Sequence, residues 1–195
     1  MTMNRRLVHF ILFLVVMATG GIGLILADDT GKPTDVIGQE MPLYTNEDFV
    51  VLEPNAQIVR VVDGDTFKAV LDGEDREWTV RMLGIDTPET VDPRKPVQCF
   101  GKEASQKLTD LIEGTRVRLD ADPEADELDK YGRLLRNVFL TDGTDVNALM
   151  VQEGYAHELT SFPLNAERKV ELRQLERDAK ASNRGLWAPD ACTAG

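Results

Sequence analysis

Apolar and polar positions along this chain recur with a period that switches between two and nearly four, and each switch marks an element. Gln57 to Asp63 is rich in β-branched residues. Thr66 to Leu71 sets Phe67, Ala69 and Leu71 against Thr66, Lys68 and Val70, and Glu77 to Leu83 sets Trp78, Val80 and Met82 against Thr79, Arg81 and Leu83. Such alternation predicts half-buried strands. Asp72-Gly73 is the turn between the second and third. Ala104, Leu108, Leu111 and Ile112 then recur at helical spacing, and Gly114 supplies the stop. Arg116 to Leu119 and Leu134 to Leu140 predict two more strands. Two helices close the pattern. The first shows Val146, Leu149 and Met150 on one face; the second, over 166–182, turns Val170, Leu172, Leu175 and Ala179 inward.

Three strands, a helix, two strands and two helices make an α+β chain. Five short strands with an interposed helix predict a five-stranded OB-fold β-barrel with three α-helices, a fold whose open face commonly binds oligonucleotides. Fold alone does not give function. Ahead of the barrel the pattern changes. Met1 to Arg6 is short and positive, and Leu7 to Leu26 is apolar and uncharged with His9 neutral. That run is long enough to span a bilayer as an uncleaved N-terminal anchor. Alternatively, Leu7 to Met17 has the length of a signal-peptide core, with Ala18-Thr19-Gly20 as a small-residue cleavage site. Both outcomes export the rest of the chain, because the positive residues hold the N-terminus inside. Ala27 to Asn55 is polar, carries Gly and Pro, and lacks periodicity, as a stalk does. The expected division is a leader or anchor at 1–26, a stalk at 27–55, the OB-fold domain at 56–190 and a tail at 191–195. The domain is expected outside the cytoplasm, secreted or anchored to the membrane.

Composition narrows the reading. The chain has 195 residues, 42% of them apolar and 29% charged, which is globular and sufficient for one domain. Net charge is −12; without Arg5 and Arg6, 20 basic groups face 34 acidic ones, a net −14. That acidity argues against broad nonspecific affinity for nucleic acid. Cys99 and Cys192 form an even pair in an exported domain, so one disulfide is the simplest reading, with two unpaired thiols as the alternative. Two cysteines and His157 do not make a closed zinc site.

The chemistry gathers between Val61 and Glu89. Asp63, Asp65, Asp86 and Glu89 sit at turns and strand ends beside Arg81. Acids are almost never fully buried without a partner, so converging carboxylates indicate a cation, an acid–base centre, or both. If the first and third strands adjoin, Asp65 and Asp86 meet at one barrel end. Either tetrad alone, DGDT or DTPE, reads more readily as a plain turn. Both together, with Arg81 between them, favour a site that cleaves phosphodiesters with a metal. Asp129-Lys130-Tyr131-Gly132-Arg133 adds a second guanidinium at a strand start, a planar fork suited to phosphate.

With VDGDTF from Val62, RMLGIDTPE from Arg81, PVQCFGKEAS from Pro96, DKYGR from Asp129, VNALMVQEGYA from Val146 and GLW from Gly185, the chain resembles the staphylococcal nuclease (thermonuclease) family over Ile58 to Trp187. The resemblance implies calcium-dependent endonucleolytic cleavage of DNA and RNA by in-line attack of water, leaving a 3′ phosphate. It implies Asp65 and Asp86 as the calcium carboxylates and a backbone carbonyl of Thr87 as a further ligand. By the same resemblance Asp63 is an acid near the metal, Glu89 the general base, and Arg81 and Arg133 the phosphate pair. Lys130 and Arg136, with Arg94 and Lys95, are expected to form a basic nucleic-acid rim. Where the family carries stacking tyrosines after the GYA segment, this chain has Thr160 and Phe162. A monomer is expected. Two rival classes are a catalytically silent OB-fold module that holds nucleic acid at the cell surface and a calcium-stabilised structural domain.

Overall fold

The computed structural model describes residues 26–27, 33–34, 52–90 and 97–192. The leader up to Ile25, most of the stalk, Arg94 and Lys95 lie outside these. Among the described residues no helix is long and apolar enough to cross a membrane. In the unit 1–48, strand β1 (Leu26–Ala27) pairs antiparallel with β2 (Pro33–Thr34).

In the unit 49–195, strands β3 (Ala56–Asp63), β4 (Thr66–Leu71) and β5 (Glu77–Met82) run antiparallel in sequence. Then come β6 (Ile85–Asp86), helix α1 (Gly101–Ile112), β7 (Arg116–Asp120) and β8 (Leu134–Phe139). Helix α2 (Val146–Gln152), β9 (His157–Glu158) and α3 (Ala166–Ala181) complete the domain. The barrel closes in the order β3-β4-β5-β8-β7. Closure comes from the pairing of Ala56 with Val117, and β5 and β8 run parallel. The first and third strands of the domain therefore do not adjoin; β4 lies between them, and the site has to assemble across it.

The alternation read from sequence is the barrel's inside and outside. Phe67, Ala69, Val80 and Met82 are buried. Full burial of a side chain such as Phe67 is worth about 1.5–3 kcal/mol. A register shift in β3 between Ile58 and Arg60 leaves Val59 44% exposed. On α3, Leu172 and Ala179 are buried and Leu175 partly so, but Val170 is 64% exposed. Residues two apart on a helix point about 200° away from each other, so Val170 and Leu172 cannot share a face, and the core takes Leu172.

Two small features fix the region after β5. Gly84 has φ 73, and a Cβ there would lie 2.5 Å from Leu172 Cδ1, so this turn closes directly on α3. Asn147 of α2 is fully buried; its Oδ1 accepts from Val138 N–H at 2.9 Å and its Nδ2 donates to the Leu83 carbonyl at 2.9 Å. Just beyond, β6 pairs with β9, setting Asp86 opposite His157.

Candidate functional site

The site starts at the β3–β4 turn. A Cβ on Gly64 would lie 2.7 Å from Thr87 Oγ1, so only glycine lets this turn close against the segment after β6. Asp65, 6% exposed, is locked there: Oδ1 accepts from the Thr66 hydroxyl at 2.9 Å and Oδ2 from Thr87 N–H at 3.0 Å. Arg81 stands opposite Thr66 in the β4–β5 register. Its Nη2 lies 3.1 Å from Asp65 Oδ2 and 2.8 Å from Asp86 Oδ1. Its Nη1 donates to the Met82 and Ile85 carbonyls, both at 2.8 Å. One guanidinium thus holds two carboxylates from separate turns at one end of the barrel. The surrounding walls desolvate the Asp86 carboxylate and raise its pKa, although 56% of the side chain still meets solvent. Arg81 opposes that rise, and the Asp65 charge adds to it.

Asp63 lies behind this pair. Its Oδ1 accepts from Gly64 N–H at 2.9 Å and from the Thr90 hydroxyl at 2.7 Å. Burial raises its pKa to about 6; a hydrogen bond with the Glu89 side chain acts the same way, and the Thr90 and Gly64 bonds act against it. Glu89 is held at its backbone, where its N–H donates to Gln98 Oε1 at 2.9 Å and its carbonyl accepts from Gln98 N–H at 2.9 Å.

The Asp129–Arg133 turn presents the second guanidinium. Asp129 Oδ1 accepts from the N–H groups of Tyr131 and Arg133, both at 2.9 Å, and Oδ2 from Arg133 Nε at 2.6 Å. Burial would raise the Asp129 pKa, but these bonds together hold it below the ordinary value. Among the described residues Asp129 is the ion-pair partner of Arg133, met through Nε at 2.6 Å.

Asp63, Asp65, Arg81, Asp86, Thr87, Glu89 and Arg133 all line one cavity of about 480 Å³. Lys130 is exposed, 4.9 Å from the Tyr131 ring, and lines a neighbouring apolar cleft instead. Arg136 is not brought to the rim. It is 8% exposed, ion-paired with Glu127, and donates to its own neighbour's carbonyl, Leu135 O, at 2.8 Å. Thr160 is also buried, bonded to Glu158 and Arg173. Phe162 is 63% exposed and lines the cleft with Tyr131 and Leu135. Cys99 and Cys192 are bonded, S–S 2.02 Å. Gln98 and Tyr131 also line the cavity; both stand inside the PVQCFGKEAS and DKYGR motifs, yet neither residue type alone announces a role.

Four acids and two arginines face this cavity, and the carboxylate excess with all-oxygen donors suits a hard divalent cation. Among the described residues no three His, Cys, Asp or Glu side chains cluster closely enough to hold a metal alone. The fit therefore rests on Asp65 and Asp86 together with carbonyl and water oxygens.

A closed five-stranded barrel flanked by three helices, with acids and arginines at one rim, defines an OB-fold domain of the staphylococcal nuclease kind. Residues 79–189 match the family model described as staphylococcal nuclease homologue. The thermonuclease of Staphylococcus intermedius is 38% identical over 130 residues, 67% of this chain and 74% of that protein. The thermonuclease of Staphylococcus hyicus is 35% identical over 137 residues, 70% of this chain and 77% of that protein. Endonuclease YncB of Bacillus subtilis is 35% identical over 134 residues, 69% of this chain but 62% of that protein, so the chain spans less than two thirds of it. The chain belongs to the staphylococcal nuclease family.

Proposed function

We propose that this protein is an exported, calcium-dependent endonuclease that hydrolyses phosphodiester bonds of DNA and RNA to 3′-phosphate products. The observation that carries the reading is the meeting of Asp65 and Asp86 on the Arg81 guanidinium, in a cavity that Glu89 and Arg133 also line. Relatives named thermonuclease and endonuclease support it. The 1–26 segment serves as leader or anchor, the 27–55 segment as stalk, and the domain works as a monomer.

Asp65, Asp86 and the Thr87 carbonyl would hold calcium, which supplies charge neutralisation at the phosphate. Arg133 offers its terminal N–H groups to phosphate oxygens while Asp129 grips Nε. The terminal nitrogens of Arg81 are engaged with protein acceptors, so Arg81 acts through its fixed positive charge. Glu89 accepts the proton of the attacking water. The 5′ oxygen departs in line with the attack. The cleft between Tyr131 and Phe162 gives an unstacked base an aromatic wall, a contact worth about 1–3 kcal/mol per base.

Plasmid and RNA cleavage by the purified chain, with calcium and then with chelator, tests the reading. Arg133→Ala is expected to lower kcat by about 10²–10³ while nucleic acid still binds. Binding without cleavage in the unaltered chain would support the silent OB-fold module instead, and near-normal turnover in the variant would remove Arg133 from the chemistry.

A further inference from the structure

Glu89, the proposed base, lines the cavity from a segment with no regular secondary structure. What steadies it is local and double. Gln98 closes a two-bond clasp on the Glu89 backbone, Oε1 accepting and N–H donating, each at 2.9 Å. The chain then turns sharply. The Gln98 carbonyl accepts from Gly101 N–H at 3.1 Å, and Phe100 adopts φ 67, a left-handed conformation seldom taken by an aromatic residue. A Cβ on Gly101 would lie 2.8 Å from the Pro88 carbonyl, so α1 begins hard against the Pro88–Glu89 backbone. Strained backbone of this kind persists only where surroundings over-determine it, and it clusters at functional sites.

The residue between the clasp and the strained turn is Cys99, bonded to Cys192 across a sequence separation of 93 residues. The tail that carries Cys192 is itself fastened: Leu186 N–H donates to the Gly154 carbonyl at 2.9 Å, and the Trp187 ring meets His157 edge-on at 4.9 Å. His157 pairs with Asp86. The disulfide therefore ties the Glu89 side of the site to the element beside Asp86.

We propose that Gln98 is a positioning residue for Glu89 and that the Cys99–Cys192 bond holds it in place, making turnover sensitive to a dithiol reductant. Reduction breaks the S–S bond, delivers two electrons and two protons to give two thiols, and closes the dithiol to its own disulfide. This rests on the nuclease reading, but part of its test does not.

In the full-length chain, Gln98→Met preserves side-chain length and removes the acceptor. Exchange of the Glu89 amide with solvent should accelerate about 10-fold or more while amides of β4 and β5 keep their protection. The kcat should fall about 10- to 100-fold with little change in KM. In a Glu89→Gln background the same substitution should cost nothing further. Cys99→Ser with Cys192→Ser, or dithiol treatment, should reproduce both changes. Unaltered Glu89 exchange in Gln98→Met, or a loss of activity that persists undiminished in the Glu89→Gln background, would overturn the clasp. Unchanged kcat and exchange after reduction would overturn the part assigned to the disulfide. A wild-type chain without nuclease activity would count against the nuclease reading, while amide exchange would still decide the clasp.

Discussion

Arg81→Lys separates charge from geometry at the centre of the site. Arg81 serves four acceptors from two nitrogens: Met82 O and Ile85 O at 2.8 Å, Asp86 Oδ1 at 2.8 Å and Asp65 Oδ2 at 3.1 Å. Its side chain is 12% exposed, so water does not readily replace lost donors. Lysine keeps the charge but concentrates its donors on one nitrogen, which reaches the carbonyl side or the carboxylate side. Two acceptors are then left short of a partner. At about 1–2 kcal/mol each, the domain loses about 3 kcal/mol. For a chain of this size that is a fall in Tm of roughly 6–12 °C. Urea unfolding should show a lower midpoint with an unchanged slope. Turnover should fall by about 10²–10³, because the surviving charge sits off the phosphate by more than the site tolerates. An unchanged midpoint would refute the four-acceptor account. A lowered midpoint with wild-type turnover would make Arg81 a strut and nothing more.

Two more outcomes concern polar groups held inside the fold. Asn147→Ala strands the Val138 N–H and the Leu83 carbonyl, both buried in the native fold, and should cost about 2–4 kcal/mol by urea unfolding; a loss below about 1 kcal/mol would mean that water reaches both groups. Asp129 has its pKa held below the ordinary value in the folded state. Its ionised form therefore stabilises the fold above the unfolded-state pKa, and that contribution is lost as pH falls through the lower folded value. Asp129→Asn should be less stable than wild type at neutral pH, and the gap should close on acidification; a gap independent of pH would refute the linkage.

The barrel is legible in the chain because alternation survives wherever one face is dry and the other wet. Leu134, Arg136 and Val138 show what that pattern contains and what residue type conceals. Period two puts Arg136 on the same inward side as its apolar neighbours, and there it lies, paired with Glu127; charge alone suggests a nucleic-acid rim. Strand neighbours are not written in alternation, which is why β4 can intervene between β3 and β5 with no sign of it in the pattern. Elements as short as β6 and β9 have no period to read and exist through their mutual pairing. The acids of the site are visible because carboxylates beside apolar strand ends demand a partner. Gln98 is not, because it acts on a backbone, and a backbone contact leaves no mark in side-chain chemistry.

The site is therefore built with unequal rigidity. Asp65 and Arg81 are set by the barrel, Asp86 by the β6–β9 pair, and Arg133 by a turn that Asp129 closes with three bonds. Chemistry that depends on placement within about half an ångström needs such support at every participant. Glu89 itself stands on neither a strand nor a helix. Gln98, the strained Phe100 turn and the Cys99–Cys192 bond support its backbone where regular secondary structure does not. An exported domain keeps such a bond, since oxidising surroundings maintain it. The export proposed for this domain and the disulfide would then be linked physically: the compartment that preserves the bond is the one in which Glu89 stays in register with the acids it has to face.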